Sequence, residues 1–248
     1  MRKSQLPART VAMSSKPVLR IDWATHEAAK FACVNWHYSG CMPSFKTVKI
    51  GAWEDGCFVG VVIFSMGAAP QAHCPYKIEP REICELTRVA FKNHKTEISR
   101  ILSICLKFLK SQSPGLRLVV SYADPEQGHH GGVYQANGWI YEGVTNPCEQ
   151  FEYVATGKRV HTKTIKTGRR GYATELKNKG VIRSVKLIKH KYLMPLDAAM
   201  REKIAQLAKP YPKSTRVKKQ DSEHPSELGG AVPTDTLQDS TVAVDAQK

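Results

Sequence analysis

The residues best suited to chemistry fall between positions 116 and 141, LRLVVSYADPEQGHHGGVYQANGWIY. An apolar, strand-like segment over 116–122 stops at a polar turn of Asp124, Pro125, Gln127 and Gly128, and a helix-sized piece carrying Tyr134 follows before Gly138 ends it. Open α/β sheets bind ligands where loops leave the carboxyl ends of strands. The turn brings Asp124, His129, His130 and three glycines to such a point, which predicts the rim of a pocket. Asp124 either orients or deprotonates an attacking amine or caps the turn ahead of Pro125. Arg88 sits inside the apolar run Leu86-Thr87-Arg88-Val89-Ala90-Phe91, where a charge is costly unless it is paired or faces a cleft. Simple strand alternation puts Glu85 on the opposite face from Arg88, so the guanidinium needs another partner. A further polar cluster, His37-Tyr38, opens the loop His37-Tyr38-Ser39-Gly40.

The elements that must position these groups follow from periodicity. Residues 25–36 have the apolar spacing of a helix, and 47–53 and 57–64 read as strands joined by Glu54-Asp55-Gly56, whose Asp-Gly pair signals a hairpin. A loop over 67–80, rich in Ala, Pro and Gly, returns through a strand at 83–91. Thr96 is placed to cap a helix over 97–110, with Ile98, Ile101, Leu102, Cys105, Phe108 and Leu109 on its apolar face. Pro114-Gly115 breaks that helix, and a last strand is expected near 140–144. A strand–helix–strand crossover requires a parallel pair inside a sheet whose early strands are antiparallel, so the fold class is mixed α/β, a sheet flanked by helices. Beyond Gly157, residues 159–165 and 181–192 read as strands and 196–207 as a helix.

Charge divides the chain. Overall it carries 37 Lys+Arg against 22 Asp+Glu, a net +15, but residues 157–219 alone hold 19 basic against 3 acidic side chains. Such a density suits a polyanion, because each neutralised phosphate releases condensed counterions; the plainer reading is a solvated basic surface. The organisation expected is a flexible N-terminus (1–18), a catalytic domain (19–156), a basic extension (157–210) that packs on it and contacts DNA, and a disordered tail (211–248). Seven cysteines, an odd number without a C-x-x-C pair, read as reduced thiols rather than disulfides or zinc ligands. No apolar stretch reaches the roughly 18–20 residues of a membrane span, and the first residues lack a signal-peptide core. A soluble, intracellular protein with no membrane partner is expected.

ELTRVAF (85–91), HKTEISRIL (94–102) and SYADPEQGHHGGVYQANGWIY (121–141), in this order of elements, resemble the Mom family of DNA-modification proteins within the GNAT acyl-CoA-dependent N-acyltransferases. The resemblance spans about residues 19–195 and is strongest over 83–144. It implies a GNAT-like domain that converts adenine in double-stranded DNA to N6-(carbamoylmethyl)adenine, hiding phage DNA from restriction nucleases, in a phage-encoded protein of the host cell cytoplasm. It implies acetyl-CoA as cofactor, with the pyrophosphate over residues 93–99, where Lys95, Thr96, Ser99 and Arg100 are candidates to hold phosphates, Thr96 being equally a plain cap and Arg100 a solvated charge. The glycine-rich turn usual there is missing, since 92–100 contains no glycine. Arg88 would bind an anionic cofactor or substrate, and Tyr134 would protonate the departing thiolate. His37 and Tyr38 with Asp124 offer the donors of a non-haem iron site, Fe2+, with His129 or His130 as a further ligand; contact with the base is their alternative role. Tyr38, Trp36 and Trp139 could stack on a flipped base, core packing being the commoner role for the two tryptophans. Lys158, Arg159, Lys163, Lys166, Arg169, Arg170, Lys186, Lys189 and Lys191 would clamp DNA phosphates. An N-acetyltransferase acting on a protein or small-molecule amine and a non-catalytic DNA-binding protein are the competing functions. The oligomeric state is open, a homodimer included.

Overall fold

The computed structural model describes residues 16–44, 46–67, 71–157, 159–162, 165 and 171–213. The expected disordered tail, apart from 211–213, and all but the last residues of the N-terminal segment lie outside them. The first sheet element, β1 (Leu19–Trp23), is followed by helix α1 (His26–Trp36), whose first turn is capped by Thr25 accepting from the Ala28 amide at 3.2 Å. The hairpin is as read: β2 (Thr47–Glu54) and β3 (Cys57–Ser65) turn through Asp55 and Gly56, both at positive φ (50° and 84°), the geometry that favours Asp-Gly. Strand β4 (Ile83–Phe91), helix α2 (Ile98–Gln112) and β5 (Leu118–Ala123) form the crossover, and β4 and β5 are indeed parallel.

Two short elements, α3 (Gly132–Ala136) and β6 (Ile140–Val144), complete the motif-rich half. Strand β6 does not pair with β5. The sheet order is β1-β2-β3-β4-β5-β10-β6, because β10 (His190–Pro195), which comes from the basic extension, inserts antiparallel between them. The single strand expected over 181–192 is therefore two. Its first half, β9 (Ile182–Leu187), joins β7 (Cys148–Tyr153) and β8 (Arg159–His161) in a small second sheet, order β8-β7-β9, against which α4 (Tyr172–Asn178) packs. Helix α5 (Ala198–Ile204) follows β10. No helix among the described residues is long and apolar enough to cross a membrane.

Burial explains the arrangement. The apolar stripe of α2 (Ile101, Leu102, Cys105, Leu109) covers one face of the large sheet with Phe64, Val119, Trp139 and Tyr192. The opposite face holds two separate cores, one under α1 (Ala29, Ala32, Cys33 on Val61, Ile63, Ala90) and one under α5 (Met200, Ile204 on Leu118, Val120, Leu193). Strand β4 passes from one to the other through a bulge: the ladder runs Ile63↔Arg88 and then Phe64↔Leu86, leaving Thr87 as the extra residue. This overturns simple alternation. Leu86 and Val89 both stay in the α2 core, and Arg88 is turned toward the α1 side with Ala90.

Candidate active site

Strands β4 and β5 pair only from Ile83↔Leu118 to Leu86↔Ser121. Beyond that point they run on without pairing, to Phe91 and Ala123, and the gap between them is a cavity of about 520 Å³. Its walls are the outer half of β4, the end of β5, the 128–134 turn, Ile98 at the start of α2, and Trp36, His37 and Tyr38 at the end of α1. The histidine-glycine turn is thus a pocket rim, as expected.

At the apex, Ser121 is fully buried, donates to the Leu86 carbonyl at 3.0 Å and is hydrogen-bonded to the Tyr134 hydroxyl at 2.9 Å. Burial pushes the Tyr134 phenol up to about 12, against the opposing pull of the Ser121 hydrogen bond. Its ring also packs on Trp139 and Tyr192, with centroids 5.0 and 5.1 Å away. The Tyr134 side chain thus both packs in the core and lines the cavity. Trp139 is wholly core.

Arg88 lines the cavity with no carboxylate paired to it among the described residues. One terminal nitrogen donates to the Thr87 carbonyl at 2.8 Å, another lies 3.9 Å from the Cys41 sulfur, and Nε is buried without a partner. An unsatisfied buried donor on a permanent cation is costly, and an anionic ligand would satisfy it. Burial, reinforced by the charges of Arg88 and His129, pushes His37 down to about 4, so its ring is neutral near pH 7. The Ser39 amide donates to His37 Nδ1 at 3.1 Å, which places the ring proton on Nε2. Burial, then the charge of Asp124, raises the Tyr38 phenol. Its ring meets His37 at 4.3 Å and His129 at 5.4 Å.

Asp124 takes the plainer of its two roles. It caps the turn by accepting from the Glu126 amide at 3.0 Å and is not among the residues lining the cavity. Of the expected iron donors, His37 Nδ1 accepts from the Ser39 amide and one Asp124 oxygen from the Glu126 amide, while the Asp124 charge acts on the neighbouring Tyr38 phenol. Among the described residues no group of three His, Cys, Asp or Glu side chains is placed to hold a metal. No step is assigned to an iron centre.

The turn before α2 differs from its expected form in an instructive way. The helix starts at Ile98, its N-cap is Glu97 without a side-chain cap, and Thr96 does not cap it. Buried Glu54, at the end of β2, accepts from the amides of Lys95 and Thr96 at 2.7 Å each. Burial alone would raise the Glu54 carboxyl, but hydrogen bonds from Thr96 and Lys95 outweigh it and hold the group below its ordinary value. Two of the amides that a pyrophosphate would seek are thus already filled by an internal carboxylate. Ser99 and Arg100 lie in the first turn of α2, Lys95 reaches toward Asp55 at 4.0 Å, and of this segment only Ile98 reaches the cavity.

Of the basic side chains, Arg159 is paired with Glu152 (2.9 Å) and Glu126 (3.1 Å), and Lys191 with Glu142 (2.9 Å). Lys186 and Lys189 form no ion pair among the described residues, while Lys158, Lys163, Lys166, Arg169 and Arg170 lie outside them. Ser121, Tyr122 and Glu54 escaped the sequence reading. The one available signal was a serine interrupting the apolar run LRLVVSYA.

The family model of the Mom protein family matches residues 18–213. No curated protein matches the chain. Among solved structures, the chain is similar to an acetyltransferase of the GNAT family from Streptococcus pneumoniae (11% identity, 73% of this chain and 100% of that one, TM-score 0.41). It is similar also to an N-acyl amino acid synthase from uncultured soil microbes (14%, 79% and 98%, 0.41) and to a Bacillus subtilis acetyltransferase in complex with CoA (10%, 73% and 100%, 0.41).

Proposed function

The chain belongs to the Mom protein family, and from that membership we propose that it modifies adenine in DNA at N6, using a two-carbon unit drawn from acetyl-CoA. The product on this reading is N6-(carbamoylmethyl)adenine, and its use is to shield phage DNA from restriction in the host cytoplasm. Arg88 is the observation that carries the reading: a cation with a buried, unpartnered Nε at a cleft between two diverging parallel strands. Such a group suits the developing negative charge of a thioester under attack or a phosphate of its carrier. Tyr134, protonated at neutral pH because burial pushes it up to about 12, can deliver a proton to the departing thiolate at the apex. Phosphates of the carrier would meet the first turn of α2, where Ser99 and Arg100 lie and the N-cap makes no side-chain bond.

Joining the methyl carbon of an acetyl unit to N6 removes two electrons and two protons, and a donor amine nitrogen must displace the thiol to form the amide. An oxidant and a nitrogen donor are therefore further reactants. On this reading Arg88 and Tyr134 act on the thioester and the cavity between β4 and β5 receives the base. Mass spectrometry of nucleosides from cells expressing the chain tests the reading: adenine should carry the carbamoylmethyl mass, and Arg88→Ala should lower it at least about 100-fold at unchanged melting temperature. Unmodified adenine beside intact, folded protein would overturn it.

A further inference from the structure

Helix α1 buries Ala29, Ala32 and Cys33 against the sheet, but its outward side carries Phe31, 53% exposed, where a surface helix ordinarily presents charge. The Phe31 ring lies edge-on to Trp36, with centroids 5.3 Å apart, and Trp36 is stacked from behind on Phe58 at 5.7 Å. The next two residues are aromatic as well: His37 meets Tyr38, and Tyr38 meets His129. Trp36, His37, Tyr38 and His129 all line the cavity. Two groups of rings thus lie side by side in the chain, Phe31 with Trp36 on α1 and His37 with Tyr38 and His129 at the cavity, and Trp36 lines the cavity as well. His37 is neutral, so it offers a π-face rather than a second cation beside Arg88.

We propose that these rings form a stacking platform for unpaired DNA bases, so that the nucleotides beside the target are held splayed out of the duplex while the target base enters the cavity. The inference rests on the DNA reading above and adds the form in which the DNA is taken. Bases inside a duplex have both faces covered, and adenine N6 is engaged in pairing, so rings can meet base faces only once the strand is opened. Base–aromatic stacking is tolerant of sequence because every base has a π-face. The net charge of +15 draws the polyanion in, and the rings, four of which line the cavity, order the strand where it must be read.

The test uses the full chain and two fluorescent probes, a single-stranded oligothymidine and a GC-only duplex of equal length, with anisotropy read at raised salt to suppress phosphate attraction. Neither probe contains adenine, so binding is separated from reaction. Oligothymidine should bind more tightly than the duplex. Phe31→Ala should weaken oligothymidine binding about tenfold, and Phe31→Tyr should restore it. Phe31 is exposed and alanine is the better helix former, so the variant folds. Equal binding of the two probes, or oligothymidine binding indifferent to Phe31→Ala, would overturn the platform. Tight, Phe31-dependent binding by a chain that leaves adenine unmodified in cells would sustain the platform and overturn the reaction alone.

Discussion

Gly131→Ala is expected to damage the site through the packing behind the cavity wall rather than through a reactive side chain. Gly131 has φ +85°, and a Cβ built there would lie 2.3 Å from Tyr192 Cε2 and 2.4 Å from its Cζ. The Tyr192 ring is fully buried, packed between Tyr134 and Tyr141 at 5.1 and 5.2 Å, and its hydroxyl is bonded to the His130 carbonyl, so it cannot swing aside. Gly128 is the control: φ is +69°, but a Cβ there meets nothing within 4 Å. Both alanines carry the left-handed strain of roughly 1–2 kcal/mol, which cancels between them. What remains for Gly131 is overpacking, about 1–3 kcal/mol. At about 2–4 °C per kcal/mol for a chain of this size, Gly131→Ala should melt roughly 2–12 °C below Gly128→Ala in a calorimetric scan. It should also lose adenine modification, because Gly131 leads directly into α3 and Tyr134. Equal melting temperatures would refute the claim that Tyr192 backs this wall.

Tyr134→Phe should lower modification by about 10²–10⁴-fold with little change in melting temperature, read by nucleoside mass spectrometry and calorimetry side by side; full activity would remove the tyrosine from the proton path. His37 is held at about 4 in the fold against an ordinary 6.5, so the unfolded chain takes up its proton first. That contribution to stability is present above 6.5 and lost as pH falls toward about 4; urea midpoints should drop over this window in the parent and less steeply in His37→Gln. Glu54→Ala strips two charge-assisted hydrogen bonds from the turn before α2 and should cost roughly 3 kcal/mol, with faster amide hydrogen exchange at Lys95 and Thr96 as its local signature.

The sequence was most readable where one residue's own chemistry decides its backbone. Asp55-Gly56 set the hairpin through positive φ, and the leucines and isoleucines of α2 set its buried stripe. It was least readable where distant segments meet. Nothing local to 190–195 says that this strand enters the large sheet between β5 and β6, since the choice is made by pairing with residues far away in the chain. The bulge at Thr87 reversed the face assigned to Arg88, because alternation assumes an uninterrupted ladder. Thr96 was read as a cap from its spacing to the helix, whereas a carboxylate 42 residues earlier satisfies that turn. The site was legible as a set of residue types in one turn and loop. Which of them share a cavity became clear only once β4 and β5 were seen to part.

The placement of β10 sets a timetable. During synthesis the stretch from Asp124 to Tyr134 leaves the ribosome well before Tyr192, whose hydroxyl receives the Gln135 amide and binds the His130 carbonyl. Until that strand arrives, the wall of the cleft has no backing and β5 has an open edge. The half-made chain therefore holds every motif of the pocket but lacks the pocket itself, so competence comes late, when the charged later part of the chain has also emerged.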